Sequence, residues 1–144
     1  MIIIDEATEM TKQMWAYLGT VVKGKGKVMR HTNEKGELHR TDGPAIEWPD
    51  GFCEWYLNGK LHCVDGPAVE GPDGYRAWYL NGKPHRVDGP AVEYADGPRS
   101  WWVDGKLHRS DGPAVVRADG YREWWVNGEF IKSEYTKEKS DGYC

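Results

Sequence analysis

The sequence predicts a mainly β fold: an elongated antiparallel meander of β-hairpin repeats with one short N-terminal α-helix. Three observations lead there. Four separate markers recur every 23 residues: Trp55, Trp78, Trp101 and Trp124; the pairs Asn58-Gly59, Asn81-Gly82, Asp104-Gly105 and Asn127-Gly128; His39, His62, His85 and His108; and Asp-Gly-Pro-Ala beginning at Asp42, Asp65, Asp88 and Asp111. Asn-Gly and Asp-Gly between short aromatic or β-branched runs signal tight hairpins, because these residues tolerate positive φ. A Gly or Pro every few residues removes any long helix from the repeats.

The elements follow in chain order. Residues 1–26 are read as a helix and cap: Asp5 caps a helix over 6–18, Gly19 stops it, and Ala7, Met10, Met14, Tyr17 and Leu18 fall at helical spacing beside Trp15. The helix is expected to close one end of the array, since repeat arrays need terminal covers. The alternative is a partner-binding face of Met10, Met14 and Trp15. Residues 27–131 form the array, a degenerate half-unit followed by four 23-residue units, and residues 132–144 form a polar tail. Each unit holds a short strand such as 75–80 and a long one such as 83–94, within one domain.

Register follows from the turns. A two-residue Asn81-Gly82 loop sets Trp78 opposite His85, and the same count pairs Trp55 with His62 and Trp101 with His108. A two-residue Asp96-Gly97 loop sets Val92 opposite Trp101, giving the rows Ile46–Trp55–His62 and Val69–Trp78–His85. His62 and Val69 are seven apart, so a regular strand would point them to opposite faces. Asp-Gly-Pro lies between them and is expected to absorb one residue as a kink, with Gly66, Gly89 and Gly112 at the bend. Trp55, His62, Trp78, His85, Trp101 and His108 are therefore structural in this reading.

The run Trp-Tyr-Leu-Asn-Gly-Lys-Pro-His (78–85) and the later Asp-Gly resemble a MORN-type repeat, over about residues 27–131. The family's usual Gly after His is replaced by Arg40, Cys63, Arg86 or Arg109, and Asp-Gly-Pro-Ala is added, so the chain is MORN-like and divergent. The resemblance implies an elongated β-hairpin array used for protein contacts or, in some members, membrane association. The Asp-Gly-Pro-Ala variant also resembles repeats in small bacterial and phage proteins. That likeness implies an interaction role, with inhibition of a host enzyme as one form of it.

Composition narrows the functional classes. A net charge of −4 disfavours nucleic-acid binding, which needs concentrated Lys and Arg, and Glu47, Glu54, Glu70 and Glu93 would oppose a strand stacked on the aromatics. No apolar run is long enough to span a membrane. An odd count of three cysteines and a start without a basic flank point to the cytoplasm. Equivalent His side chains two strands apart are separated by about 10 Å, too far to share one metal, so no metal and no cofactor is expected. Nearly every reactive side chain is a repeat element, and no unique catalytic constellation emerges; the chain is expected not to be an enzyme.

What remains is a surface. Tyr56, Tyr79, Trp102 and Trp125 pair across the Asn-Gly turns with Leu61, Pro84, Leu107 and Phe130, and Arg86, Arg109 and Lys132 are assigned to the same face. Aromatic and Arg side chains are enriched where proteins bind proteins. The expected function is a non-enzymatic repeat protein that binds a protein partner through this stripe. The alternative is a carbohydrate- or choline-binding module, since an aromatic ladder can grip sugars or quaternary amines. Edge strands left at the ends of the meander can also pair two copies of the chain.

Overall fold

The computed structural model describes residues 26–136, which are all β and turn. The helix expected over 6–18, with Met10, Met14 and Trp15, lies outside the described residues. The array opens with β1 (Met29–Arg30) and β2 (Ile46–Glu47). The first full unit contributes β3 (Cys53–Glu54), β4 (Tyr56–Leu57), β5 (Lys60–Leu61) and β6 (Val69–Glu70). The second contributes β7 (Arg76–Ala77), β8 (Tyr79–Leu80), β9 (Lys83–Pro84) and β10 (Val92–Glu93). The third follows with β11 (Arg99–Ser100), β12 (Trp102–Val103), β13 (Lys106–Leu107) and β14 (Val115–Val116), and the last hairpin is β15 (Tyr121–Val126) and β16 (Glu129–Tyr135).

Ten of these strands form one antiparallel sheet in the order β1-β2-β3-β6-β7-β10-β11-β14-β15-β16. The remaining six form three small hairpins, β4-β5, β8-β9 and β12-β13. The Asn-Gly turns are two-residue loops. Leu80 pairs with Lys83 and Tyr79 with Pro84, and both Asn81 and Gly82 have positive φ, 50° and 81°. Such turns match the right-handed twist of the strands they join.

The second turn differs from expectation. Val92 pairs with Ser100 and Glu93 with Arg99, and the Tyr94 N–H donates to Pro98 O at 3.0 Å. The loop is therefore the three residues Ala95-Asp96-Gly97, closed by Gly97 N–H to Tyr94 O at 3.1 Å, with Gly97 at φ +126°. This is a type I-like turn ended by a glycine in a positive-φ bulge. One added loop residue moves the register by one and turns every side chain over. Alanine, not Val or Ile, accordingly occupies the tryptophan row: Trp78 N–H donates to Ala91 O at 2.7 Å and Trp101 N–H to Ala114 O at 2.8 Å. The row reads Ala45–Trp55–Ala68–Trp78–Ala91–Trp101–Ala114, and each of these alanines is fully buried.

The expected one-residue kink at Asp-Gly-Pro is likewise replaced by a larger feature. Trp78 binds His85 on one side (His85 N–H to Trp78 O, 3.0 Å) and Ala91 on the same partner strand. Residues 86–90 between them leave the ladder as a five-residue excursion, and its first residue bonds the following unit through Arg86 N–H to Trp102 O at 3.0 Å. The last hairpin lacks such an excursion, so β16 pairs with β15 almost without interruption, from Glu129 through Tyr135.

Among the described residues the buried apolar set is small: the four alanines of the row, Ala77, Ile46 and Val69, with no large side chain wholly enclosed. Ordering a chain costs roughly 1–2 kcal/mol per residue of backbone entropy. In so thin a sheet, backbone ladders and half-buried aromatic rings must offset much of that cost.

Candidate functional site

Alternation separates the sheet into two faces. Ile46, Glu54, Val69, Ala77, Val92, Ser100, Val115 and Glu123 are neighbours on one. The row Tyr56, Tyr79, Trp102 and Trp125 continues this face, all half-buried. Three of its four polar tips are tied to residues two positions earlier; Tyr79 has Ala77 at that place. The Tyr56 hydroxyl donates to Glu54 Oε1 at 2.9 Å, Trp102 Nε1–H to Ser100 Oγ at 2.8 Å, and Trp125 Nε1–H to Glu123 Oε1 at 2.7 Å. Burial, followed by the charge and hydrogen bond of Glu54, pushes the Tyr56 phenol up to about 12. The Tyr56, Trp102 and Trp125 rings are thus fixed in orientation, and the row of four faces Leu61, Pro84, Leu107 and Phe130 across the turns.

The opposite face carries Glu47, Cys53, Glu70, Arg76, Glu93 and Arg99, followed by the Trp55, Trp78, Trp101 and Trp124 row. Arg86 and Arg109 belong here, not with the Tyr79 and Trp102 rings. The Arg86 guanidinium lies 3.7 Å over the Trp78 ring and that of Arg109 lies 3.9 Å over Trp101, while Lys132 Nζ is 4.5 Å over Trp124. Alternation fails at Arg86 and Arg109 because the residue after His begins the excursion and is no longer in a strand.

Each arginine closes its own excursion. Arg86 Nε donates to Asp88 Oδ1 at 3.1 Å, and Nη1 donates to Pro90 O at 3.0 Å and Glu93 Oε2 at 3.2 Å. Arg109 repeats the first two with Asp111 at 2.9 Å and Pro113 O at 3.0 Å. Arg40 does the same with Asp42, Pro44 O and Glu47, beside the His31 ring. Asp88 and Asp111 are about four-fifths exposed, so their ion pairs contribute roughly 0–1 kcal/mol. Stacking of the guanidinium on a half-buried Trp stabilises the excursion more, by about 0.5–2 kcal/mol.

This packing explains the glycine of Asp-Gly-Pro. Gly89 is not in the positive-φ region; its requirement is space. A Cβ there would stand 3.0 Å from Arg86 Cζ, and at Gly43 and Gly112 the corresponding distances are 2.8 and 2.9 Å. The guanidinium is held between a Trp face and a glycine. Gly66 differs, because Cys63 replaces the arginine and a Cβ would meet nothing within 4 Å.

The histidines join one unit to the next. Nδ1 of His62 accepts the Asn81 N–H at 2.9 Å, and His39, His85 and His108 accept from Asn58, Asp104 and Asn127 at 2.9–3.0 Å. An accepting Nδ1 places the proton of a neutral ring on Nε2. Gly82 N–H to Leu61 O at 2.8 Å and Cys63 N–H to Tyr79 O at 3.1 Å complete the contact.

Between the excursions that begin at Arg86 and Arg109 an open groove of about 560 Å³ is lined by Arg86, Asp88, Trp101, His108, Arg109 and Asp111, among others. Arg86 and Arg109 are paired there with Asp88 and Asp111 of their own excursions, and His108 Nδ1 is engaged by the Asn127 N–H. Cys53 and Cys63 are both free thiols. Burial pushes each thiol up, with Glu70 adding to the effect at Cys53, so neither is poised as a thiolate. No family model matches the chain, and no match was found among curated proteins.

Proposed function

We propose that the chain is a non-enzymatic, MORN-like repeat protein of the cytoplasm that binds a protein partner, inhibition of a host enzyme being one form of that role. The observation that carries this reading is the row of Tyr56, Tyr79, Trp102 and Trp125, left half-exposed on one face of the sheet among the described residues, with the tips of Tyr56, Trp102 and Trp125 held by hydrogen bonds. Aromatic rings held in one orientation offer contact area at little entropic cost. Arg86 and Arg109, engaged with their own excursions, are about a quarter exposed and present pre-ordered charge on the other face.

The test is a paired capture from native cytosol by the wild type and by a Tyr79→Ser, Trp102→Ser variant shown to be folded. A stoichiometric protein retained by the wild type and lost by the variant supports the reading. Equal retention by both removes the aromatic row from it. Capture of glycans or choline resin in place of protein, again dependent on the row, would replace it with a carbohydrate- or choline-binding module.

A further inference from the structure

The first full unit keeps every group that holds an arginine elsewhere, yet has lost the arginine. Position by position along the 23-residue repeat, Cys63 stands where Arg40, Arg86 and Arg109 stand in the other units. Asp65 is the counterpart of Asp88, Pro67 of Pro90, Glu70 of Glu93 and Trp55 of Trp78. The third unit retains its arginine but has Val116 in place of the glutamate, so the acceptor set without an arginine is the fuller one.

The backbone around these groups is unchanged. Trp55 N–H donates to Ala68 O at 2.7 Å, His62 N–H to Trp55 O at 3.0 Å, and Cys63 N–H to Tyr79 O at 3.1 Å. The second unit has the same bonds at 2.7, 3.0 and 3.0 Å. Among the described residues no cation stacks on Trp55, and neither Asp65 nor Glu70 has an ion-pair partner. Nothing stands within 4 Å of where a Cβ on Gly66 would be, the spot the guanidinium reaches in the other three excursions.

We propose that Trp55, Gly66, Asp65, the Pro67 carbonyl and Glu70 form a socket for an arginine side chain supplied by a protein partner. A flat slot between an indole face and a glycine, edged by two carboxylates and a carbonyl, matches a planar guanidinium with its fan of N–H donors better than a compact ammonium. The sister units show the intended occupant, since the same groups there hold Arg86 through one stacking contact and three hydrogen bonds. The identity of the occupant's carrier rests on the protein-binding reading; the socket itself does not.

The experiment uses the full chain labelled with ¹⁵N and titrated with blocked arginine (N-acetyl-arginine amide), its neutral citrulline analogue, and choline. The expected result is a saturable shift of the Trp55 indole N–H and the backbone amides of residues 63–68 with arginine, and none with citrulline. Absence of a shift, equal shifts at Trp78 and Trp101, or a stronger response to choline would overturn the assignment. A Cys63→Arg variant supplies an independent readout: filling a preformed socket should raise Tm by a few degrees, on the order of 4 °C, and abolish the arginine response. An unchanged or lowered Tm would mean that the socket is not preformed. Where a protein partner is in hand, a tenfold or greater loss of affinity in Cys63→Arg supports insertion of a partner arginine, and unchanged affinity overturns that clause while leaving the protein-binding reading intact.

Discussion

A Cβ placed on Gly89 would come within 3.0 Å of the Arg86 guanidinium carbon, and this contact sets the chemistry of the whole excursion. The guanidinium is clamped with Trp78 on its other side, 3.7 Å away. Gly89→Ala should therefore displace Arg86 and cost about 1 kcal/mol, the scale of a partly desolvated cation–π contact. Gly66→Ala should be neutral or stabilise by up to about 1 kcal/mol through the unfolded chain. Urea denaturation of both variants checks this. In a double-mutant cycle, Arg86→Cys should remove most of the cost of Gly89→Ala.

The His62 ring should be replaceable by a side chain with an acceptor near Nδ1. Removing the acceptor in His62→Phe leaves the Asn81 N–H without its partner and is expected to cost about 1–2 kcal/mol. His62→Asn keeps a short acceptor and should recover part of that loss. Hydrogen exchange at the Asn81 amide reads the contact directly: exchange should accelerate in His62→Phe and less so in His62→Asn.

Ala91 is fully buried in the row between Trp78 and Trp101. Ala91→Val adds volume between two indoles and is expected to destabilise by about 1–3 kcal/mol. Ala118→Val, in an exposed turn, should change stability by no more than about 0.5 kcal/mol. Thermal melts of the pair distinguish crowding in the row from a general dislike of valine.

The Tyr56 phenol, pushed up to about 12 from its ordinary value of 10 by burial first and Glu54 second, should be among the last tyrosines to ionise. Its folded-state value lies above the unfolded one, so its contribution to stability is fully present below pH 10 and is lost as pH rises toward 12. Tyr75 and Tyr135 are also pushed up, so spectrophotometric titration at alkaline pH should show a delayed group of phenols, of which Tyr56 is the one beside Glu54. In Glu54→Gln that phenol should move partway back, because the charge is removed while burial remains.

The repeat period, the hairpins and the pairing across Asn-Gly are legible in the sequence, because a two-residue turn with both φ positive admits few residue types and dictates register over the next few pairs. The second turn is one residue longer than Asp96-Gly97 suggests, although Pro49 and Pro72 ahead of the equivalent Asp-Gly pairs carry the signal: proline favours the first central position of a type I turn, which makes the loop three residues long. That single residue exchanges Val for Ala in the tryptophan row. The face of Arg86 is not legible, because residues 86–90 leave the ladder and strand alternation has no force there.

The amino-acid sequence by itself determined the unit length, the antiparallel meander and the partners across each tight turn, since these depend on local backbone preference repeated in phase. The tertiary structure alone decided on which face Arg86 and Arg109 lie, why glycine follows Asp42, Asp88 and Asp111, and what Cys63 leaves open. These depend on contacts between units and on one guanidinium reaching back over a neighbouring ring, distances that no periodicity encodes.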